Sequence, residues 1–261
     1  CSFMEELITG LRARERIIES FTIQGWRAFR EDAWPFTKRL LSFGSMHGLQ
    51  LGVVDTGRDL PERLPFLNTL AQPVTLYISM DGPRAVQDKR DAGAFDECVA
   101  ALTEAIRYPR FHDHMFVAFT LFRNKADRAI ALIEELPDSV RQHATMVISP
   151  YLAMNTDGDL GAPLHTGAEF VEAFGQVRAC AERAHMRLEI DDEFDQLDLS
   201  SDHAALKDVV IRTYTRKRLV RFLPNGAILA GTKILQQVTE DTPKWIPPAV
   251  FVEHVFQDVY E

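Results

Sequence analysis

The segment VTLYISMDGP, residues 74–83, contains an apolar strand that ends in a turn. The strand runs from Val74 to Met80, and Gly82 and Pro83 follow it as turn residues. Hydrophobic residues from Phe95 to Arg107 then recur with a helical period, and a second apolar strand follows from Met115 to Leu121. A strand, a helix and another apolar strand in this order predict a βαβ unit with two parallel strands.

The same alternation extends in both directions from this unit. Further strands are predicted at 21–23, 49–54, 145–149 and 187–190. Helices are predicted at 4–18, 31–47, 60–69, 125–135 and 169–185. Strands this apolar, separated by helices, predict an α/β protein with a parallel sheet. Periodicity alone leaves open whether the sheet is open or closed into a barrel.

The character of the sequence changes after the last of these strands. Asp191-Asp192-Glu193 and Asp195 are predicted to form an acidic, solvated loop. Pro224-Asn225-Gly226 separates two short apolar runs, and Asn-Gly supplies the positive φ angles that a tight hairpin turn demands. We therefore predict an α/β domain at 1–204 and a small extension with a β-hairpin at 205–261.

Composition excludes several classes of function. The 261 residues carry a net charge of −9, which provides no basic field for nucleic acid or anionic lipid. No apolar run approaches the roughly 20 residues of a membrane helix. Three scattered cysteines favour a reducing compartment, hence a cytoplasmic location. The chain opens on Cys1 and not on methionine, from which we expect an upstream segment; a lipidated start is a less favoured alternative.

Candidate ligand contacts follow the predicted strands, because parallel α/β sheets bind ligands at the carboxyl ends of their strands. Each of these segments is polar or rich in glycine, which suits a cleft, although any one of them is also an ordinary turn. They are Gln24–Arg27, Asp55–Gly57, Ser79–Pro83, Arg123-Asn124 and Ser149–Tyr151.

Taken together, these segments resemble the radical SAM enzymes. SMDGPRAVQDKR at 79–90, followed by GAFD at 93–96, is similar to the family's Ser-x-Asp-Gly-Pro, His-Asp-x-x-Arg and Gly-x-Phe series. QGWRA at 24–28 resembles its Gly-Gly-Glu-Pro turn, and DTG at 55–57 stands in the place of its Thr-Asn-Gly. The Pro-Asn-Gly hairpin resembles the start of a SPASM or twitch region. The resemblance implies a partial (β/α)6 TIM-like barrel with a small hairpin-containing C-terminal extension.

The resemblance also implies cofactors. Radical SAM enzymes hold a [4Fe-4S] cluster on C-x3-C-x2-C and cleave S-adenosylmethionine to a 5′-deoxyadenosyl radical. CSFM at 1–4 resembles the end of that pattern, with Cys1 as a metal ligand, Phe3 against adenine and Met4 in place of the third cysteine. The resemblance carries the contacts with S-adenosylmethionine to Phe3, Gly25, Trp26, Ser79, Asp81, Arg123 and Asn124.

The sequence departs from the family at several of these places. Arg27 replaces the glutamate that receives the ammonium group of S-adenosylmethionine, so a negative site becomes positive. Ala28 replaces the proline, Gln87 replaces the histidine, and Asp55 interrupts the Thr-Asn-Gly turn. No cysteines surround the hairpin to hold auxiliary clusters. Cys98 and Cys180 lie within predicted helices, where we expect buried core thiols.

Other candidate metal sites are weaker. His112-Asp113-His114 precedes a strand without an evident third ligand, and we expect a solvated loop there. No Gly-x-Ser-x-Gly, P-loop or His-Glu-x-x-His pattern indicates hydrolase or nucleotidase chemistry.

Two hypotheses follow. In the first, the chain is a degenerate, non-catalytic radical SAM protein without cofactor. It then acts as an accessory or substrate-binding subunit in the modification of a peptide or other natural product, beside a catalytic radical SAM partner. In the alternative, it is an active enzyme whose cluster loop is absent from the chain as given, before Cys1 or between Phe3 and Met4. A TIM-barrel enzyme of unrelated chemistry is a third, minor possibility. No catalytic residue, substrate identity or oligomeric state is predicted.

Overall fold

The structure is a computed structural model. It describes residues 5, 8–10, 13, 19–24, 27–89, 91–122, 125–150, 167–192, 206–213, 220–222, 228–230 and 233–236. The chain divides into two units. One contains residues 20–191 and 197–212, and the other contains 1–19, 192–196 and 213–261.

A seven-stranded sheet forms the first unit, and its strands follow one another in chain order. They are β1 (Ser20–Ile23), β2 (Gln50–Asp55), β3 (Val74–Ser79), β4 (Met115–Leu121), β5 (Thr145–Pro150), β6 (Arg187–Asp192) and β7 (Val210–Thr213). The pairs from β1–β2 to β5–β6 are all parallel. The sheet curls into a half-barrel with helices, which confirms the predicted α/β partial TIM-like barrel.

Helices connect the strands. They are α1 (Trp34–Met46), α2 (Leu60–Leu67), α3 (Arg84–Gln87), α4 (Ala94–Ile106), α5 (Ala126–Glu135), α6 (Asp138–His143) and α7 (Gly167–Arg183), with a 3₁₀ turn at Pro109–Phe111. The five predicted helices after 4–18 are confirmed within a few residues. Helix α1 begins later than predicted because residues up to Ala33 form tight turns and Pro35 lies in its first turn. Most of the predicted helix at 4–18 lies outside the described residues.

One face of strand β3 lies in the hydrophobic core, whereas β2, β4 and β5 bury residues on both faces. In β3, Val74, Leu76 and Ile78 are fully buried, whereas the alternate residues are half-buried. Successive side chains of a strand point to opposite faces. Buried residues of α4, among them Phe95 and Leu102, belong to the same core. The other face of the strand therefore remains accessible.

One local prediction at the end of the sheet was wrong. Asp191 and Asp192 were expected in an acidic loop, but both are the last residues of β6. Backbone pairing with the neighbouring strand decides where a strand ends, and the charge of the side chains does not prevent it.

The second unit contains a three-stranded antiparallel sheet. Strand β9 (Ile228–Ala230) lies between β8 (Val220–Phe222) and β10 (Lys233–Gln236). The antiparallel pairing of β8 with β9 confirms the predicted hairpin, whose Pro-Asn-Gly turn lies outside the described residues. The predicted domain boundary after residue 204 stays a prediction. Within the described part of the chain, no helix has the length and apolarity to span a membrane.

Candidate functional site

Three turns meet at the carboxyl ends of β1, β2 and β3. They begin at Arg27, Asp55 and Ser79, and the parallel pairing of the three strands brings them to the same edge of the sheet. This is the edge at which α/β sheets bind ligands. It is also where the sequence analysis expected the ligand contacts of this chain.

The Asp55 carboxylate joins the first two turns. Its side chain is 7% exposed. Oδ1 accepts a hydrogen bond from the Gly57 amide at 2.8 Å, and Oδ2 accepts one from the Phe29 amide at 3.3 Å. Asp55, the first residue of the Asp-Thr-Gly segment, thus holds the backbone of both turns in place. Both of its oxygens are engaged within the protein, so it is poorly placed to contact a ligand.

Gly57 allows this turn to form. Its φ is +82°, and a Cβ atom built there would lie 2.9 Å from the Cβ of Ala101 and 3.2 Å from Cδ1 of Ile78. The left-handed backbone and the close approach of helix α4 both favour glycine. The turn after β2 is therefore packed directly against the helical layer.

Gln87 joins the second and third turns. Its side chain is 1% exposed, and its Oε1 accepts a hydrogen bond from the Asp81 amide at 2.8 Å. Nε2 donates to the Ser79 carbonyl at 3.5 Å and contacts the Cys98 sulfur at 3.7 Å. The Cys98 thiol donates in turn to the Thr56 carbonyl at 3.0 Å. A buried chain of contacts therefore links the turns after β2 and β3 through helices α3 and α4.

The two cysteines of the described residues are core thiols, as predicted. Cys98 and Cys180 are buried and free of disulfides. Burial raises the pKa of the Cys98 thiol to about 12, which nearby carboxylates reinforce and the hydrogen bond from Gln87 opposes. Burial also raises the pKa of Cys180. An iron–sulfur cluster requires thiolates that converge on one point. These two neutral thiols, in separate helices, do not fit it.

The turn after β1 presents an arginine. Arg27 is exposed and has a left-handed backbone with φ of +45°. Its carbonyl accepts a hydrogen bond from the Arg30 amide at 3.0 Å. Phe29 is held on both sides, since its amide donates to Asp55 and its carbonyl accepts from Nε of Arg63 at 3.1 Å. The position of Arg27 at the strand end is therefore set by the surrounding structure.

The structure places two of the predicted contact residues at this edge. Ser79 is the last residue of β3, and Asp81 follows in the turn that Gln87 holds. Both are half-buried. The other predicted residues, Cys1, Phe3, Gly25, Trp26, Arg123 and Asn124, lie outside the described residues and stay predictions, as does the break between Phe3 and Met4.

The Ser79 face of the sheet carries two further polar residues, Thr120 and Glu189, that were not among the predicted ligand contacts. The cross-strand row through Ser79 continues through Ala118, Val147 and Glu189. The next row toward the carboxyl edge pairs Thr120 with Ser149. Tyr77 stacks on Phe116 in the row below, with ring centroids 5.0 Å apart. In the sequence, Thr120 and Glu189 each stand between apolar residues of a predicted strand, and this alternation was the signal that could have identified them.

The histidines before β4 have structural partners. His112 donates from Nε2 to the Ile106 carbonyl at 2.8 Å, and His114 lies 3.4 Å from the Thr75 hydroxyl. Asp113 is exposed and forms an ion pair with Arg187. The segment is a turn, but its two histidines are half-buried instead of fully solvated. Among the residues that the structure describes, no group of three or more potential metal ligands occurs.

Comparison with known proteins yields a fold relationship. No protein-family model and no curated protein matches the sequence. The structure is similar to the crystal structure of Streptococcus suis SuiB bound to S-adenosylmethionine, with a TM-score of 0.56 and 11% sequence identity. The match covers 87% of this chain and 52% of that chain, so this chain spans about half the length of SuiB. At this level of identity the similarity shows the fold alone, an α/β partial barrel.

Proposed function

We propose that this chain is a radical SAM-family protein that binds S-adenosylmethionine or a related ligand at the carboxyl ends of β1–β3 without cleaving it. It then serves as an accessory or substrate-binding subunit for a catalytic radical SAM partner that modifies a peptide or another natural product. The observation that carries the proposal is the internal bonding of Asp55 and Gln87. Two positions that depart from the family are buried in the scaffold of the turns.

The fold similarity supports the choice of ligand. SuiB is bound to S-adenosylmethionine in the structure that this chain resembles. In this chain, Ser79 and Asp81 belong to a Ser-x-Asp-Gly-Pro turn that begins at the last residue of β3. A serine hydroxyl and a carboxylate are suited to hold the hydroxyls of a ribose. These residues would bind the ligand and orient it.

The charge at β1 supports a non-catalytic role. The guanidinium of Arg27 stands where the resemblance places the glutamate for the ligand's ammonium group. Two cations that approach within about 4–6 Å disfavour one another. The ligand would therefore bind more weakly than in an enzyme with glutamate, or in another orientation. Either change opposes the alignment of the sulfonium that bond cleavage requires.

Cys98 and Cys180 are not candidates for holding an iron–sulfur cluster, because both are neutral thiols buried in separate helices. The chain's own residues provide a shaped edge, hydroxyl and carboxylate groups, and a fixed cation.

The alternative remains an active enzyme with a complete cluster loop. The Ser-x-Asp-Gly-Pro sequence from Ser79 to Pro83, which the chain keeps, favours it. In that case S-adenosylmethionine and a [4Fe-4S] cluster would both bind, and a 5′-deoxyadenosyl radical would form.

One experiment separates the two functions. The complete gene product is purified without oxygen and reconstituted with iron and sulfide, and bound iron, charge-transfer absorbance and 5′-deoxyadenosine formation with dithionite are measured. Binding of radiolabelled S-adenosylmethionine is measured by equilibrium dialysis. We expect ligand binding without a stable cluster and without 5′-deoxyadenosine. A stable cluster with 5′-deoxyadenosine formation would instead establish the active enzyme, and absence of ligand binding would contradict both functions.

A further inference from the structure

Arg27 is an exposed cation without an ion pair to any other described residue. The two other arginines bonded to this turn do have carboxylate partners: Arg30 pairs with Asp32, and Arg63 pairs with Glu62. The whole chain has an excess of acidic residues, with a net charge of −9. Arg39 of α1 is likewise exposed and forms no ion pair with another described residue, so the position of Arg27 in the turn after β1 is what sets it apart.

Asp55, whose carboxylate accepts a hydrogen bond from the Phe29 amide, forms no ion pair with Arg27. Asp55 belongs to the adjacent turn, but it is 7% exposed and accepts hydrogen bonds from the amides of Phe29 and Gly57. It is therefore committed to the backbone. Its role is to hold the turn that carries Arg27.

The backbone of Arg27 is held in an uncommon conformation. A φ of +45° is unfavourable for a residue with a long side chain, and such outliers persist where the surrounding structure maintains them. Here three hydrogen bonds maintain it: one to the Arg27 carbonyl, one from the Phe29 amide and one to the Phe29 carbonyl. The Cα atom of Arg27, from which the side chain extends, is thus held near the carboxyl end of β1.

We propose that Arg27 anchors a subsite for an oxyanion, the carboxylate or the phosphate of a bound ligand, at the carboxyl end of β1. A guanidinium forms paired hydrogen bonds with either group, and its planar donors match their geometry. A single fixed arginine at a ligand edge discriminates by charge, so it accepts an anionic group and disfavours an ammonium. The inference rests on the ligand edge of the proposed function but not on the identity of the cofactor.

The first test observes Arg27 directly. The full chain is labelled with ¹⁵N-arginine, and the side-chain Nε–Hε resonances are followed by NMR during separate titrations with inorganic phosphate and succinate. Arg27→Lys assigns the Arg27 resonance, and Arg39, an exposed arginine of α1, is the matched control. We expect the Arg27 resonance to shift saturably in one titration at concentrations that leave Arg39 unchanged. The anion that binds Arg27 more tightly shows whether the subsite prefers a phosphate or a carboxylate. Equal, non-saturating shifts of both arginines would overturn the subsite.

The second test uses S-adenosylmethionine and its decarboxylated form, which keeps the adenosine, the sulfonium and the ammonium. Equilibrium dialysis compares the wild type with Arg27→Asn, Arg27→Lys and the control Arg39→Gln. Asparagine tolerates a left-handed backbone, so Arg27→Asn removes the charge with little strain. We expect the wild type to prefer S-adenosylmethionine about tenfold, equivalent to about 1.4 kcal/mol. This preference should vanish in Arg27→Asn, return in part in Arg27→Lys and persist in Arg39→Gln.

The outcomes distinguish the subsite from the proposed function. If every protein binds both compounds with the same preference, the oxyanion subsite is wrong although ligand binding stands. If no protein binds either compound but phosphate or succinate selects Arg27 in the NMR titration, the proposed function is wrong although the subsite stands. Unfolding curves of each variant show whether a loss of binding reflects a loss of the fold.

Discussion

The side-chain carbonyl of Gln87 accepts a hydrogen bond from the backbone amide of Asp81 at 2.8 Å. The same side chain contacts Cys98, whose thiol donates to the carbonyl of Thr56. Because the Gln87 and Cys98 side chains are buried, water competes little for their contacts. The turns after β2 and β3 therefore form one connected unit, and a change at Gln87 should reach both.

The first prediction concerns the stability that this connection provides. Gln87→Leu leaves the Asp81 amide without its acceptor, so the free energy of unfolding should fall by about 1–3 kcal/mol. Urea denaturation followed by circular dichroism measures it. Gln142→Leu, at an exposed position of α6, is the control and should change stability by at most about 0.5 kcal/mol. Equal effects of the two substitutions would contradict a specific role of Gln87.

The second prediction separates backbone strain from crowding in the turn after β2. Gly57 and Gly93 have nearly equal φ angles of +82° and +83°, but a Cβ atom at Gly93 would meet nothing within 4 Å. Gly93→Ala should therefore cost only the left-handed strain, about 1–2 kcal/mol. Gly57→Ala should cost about 1–3 kcal/mol more because Ala101 and Ile78 must shift. Equal losses of unfolding free energy in urea denaturation would show that Ala101 and Ile78 shift without an energetic penalty.

The third prediction is a pH dependence of stability. The pKa of Cys98 is raised from 9.0 to about 12 in the folded protein, so folding favours the neutral thiol. Below pH 9.0 the thiol is neutral in both states and its contribution is complete. Between the two pKa values the unfolded state ionises, and the contribution is lost at about 1.4 kcal/mol per pH unit.

Urea denaturation at a series of alkaline pH values measures this loss. Cys98→Ser keeps a donor for the Thr56 carbonyl and does not ionise in this range, so its stability should fall less steeply than that of the wild type. Cys180→Ser keeps Cys98 and should retain most of the slope. If the wild type and Cys98→Ser lose stability in parallel, the buried thiol is not the cause.

The fourth prediction tests Ser79 as a ligand contact. Ser79→Ala should weaken the binding of S-adenosylmethionine about fivefold, which corresponds to the loss of one hydrogen bond of about 1 kcal/mol. Thr75→Ala changes a hydroxyl residue on the same face of β3 but at its amino end, and should leave the affinity unchanged. Equilibrium dialysis on both variants decides whether the carboxyl edge is the binding position.

The order of the elements was predictable because it depends on local patterns. Buried strands such as Val74–Ser79 and Met115–Leu121 are continuous apolar runs, and the longer helices repeat hydrophobic residues with a helical period. Short helices escaped the prediction. Arg84–Gln87 is a single turn, and Asp138–His143 is less than two turns, so neither contains enough residues to show a period.

The contacts at the site were less predictable. Asp55 and Gln87 were predicted as departures from a family pattern, without bonding partners. Each has one partner close in the sequence, Gly57 and Asp81, but the partners that join the turns are more distant: Phe29 is 26 residues from Asp55, and Cys98 is 11 residues from Gln87. The same holds for Glu189, which reaches the row of Ser79 only through the register of three strand pairs.

The sequence by itself determined the alternating α/β class, the parallel order of the strands and the hairpin of the second unit. Hydrophobic periodicity and turn residues act over a few neighbours, and connections between consecutive elements follow simple rules. Only the tertiary structure decided that Asp55 and Gln87 serve the scaffold while Arg27 stays exposed. Whether a polar group is available to a ligand depends on which distant donors and acceptors surround it, and folding alone sets that environment.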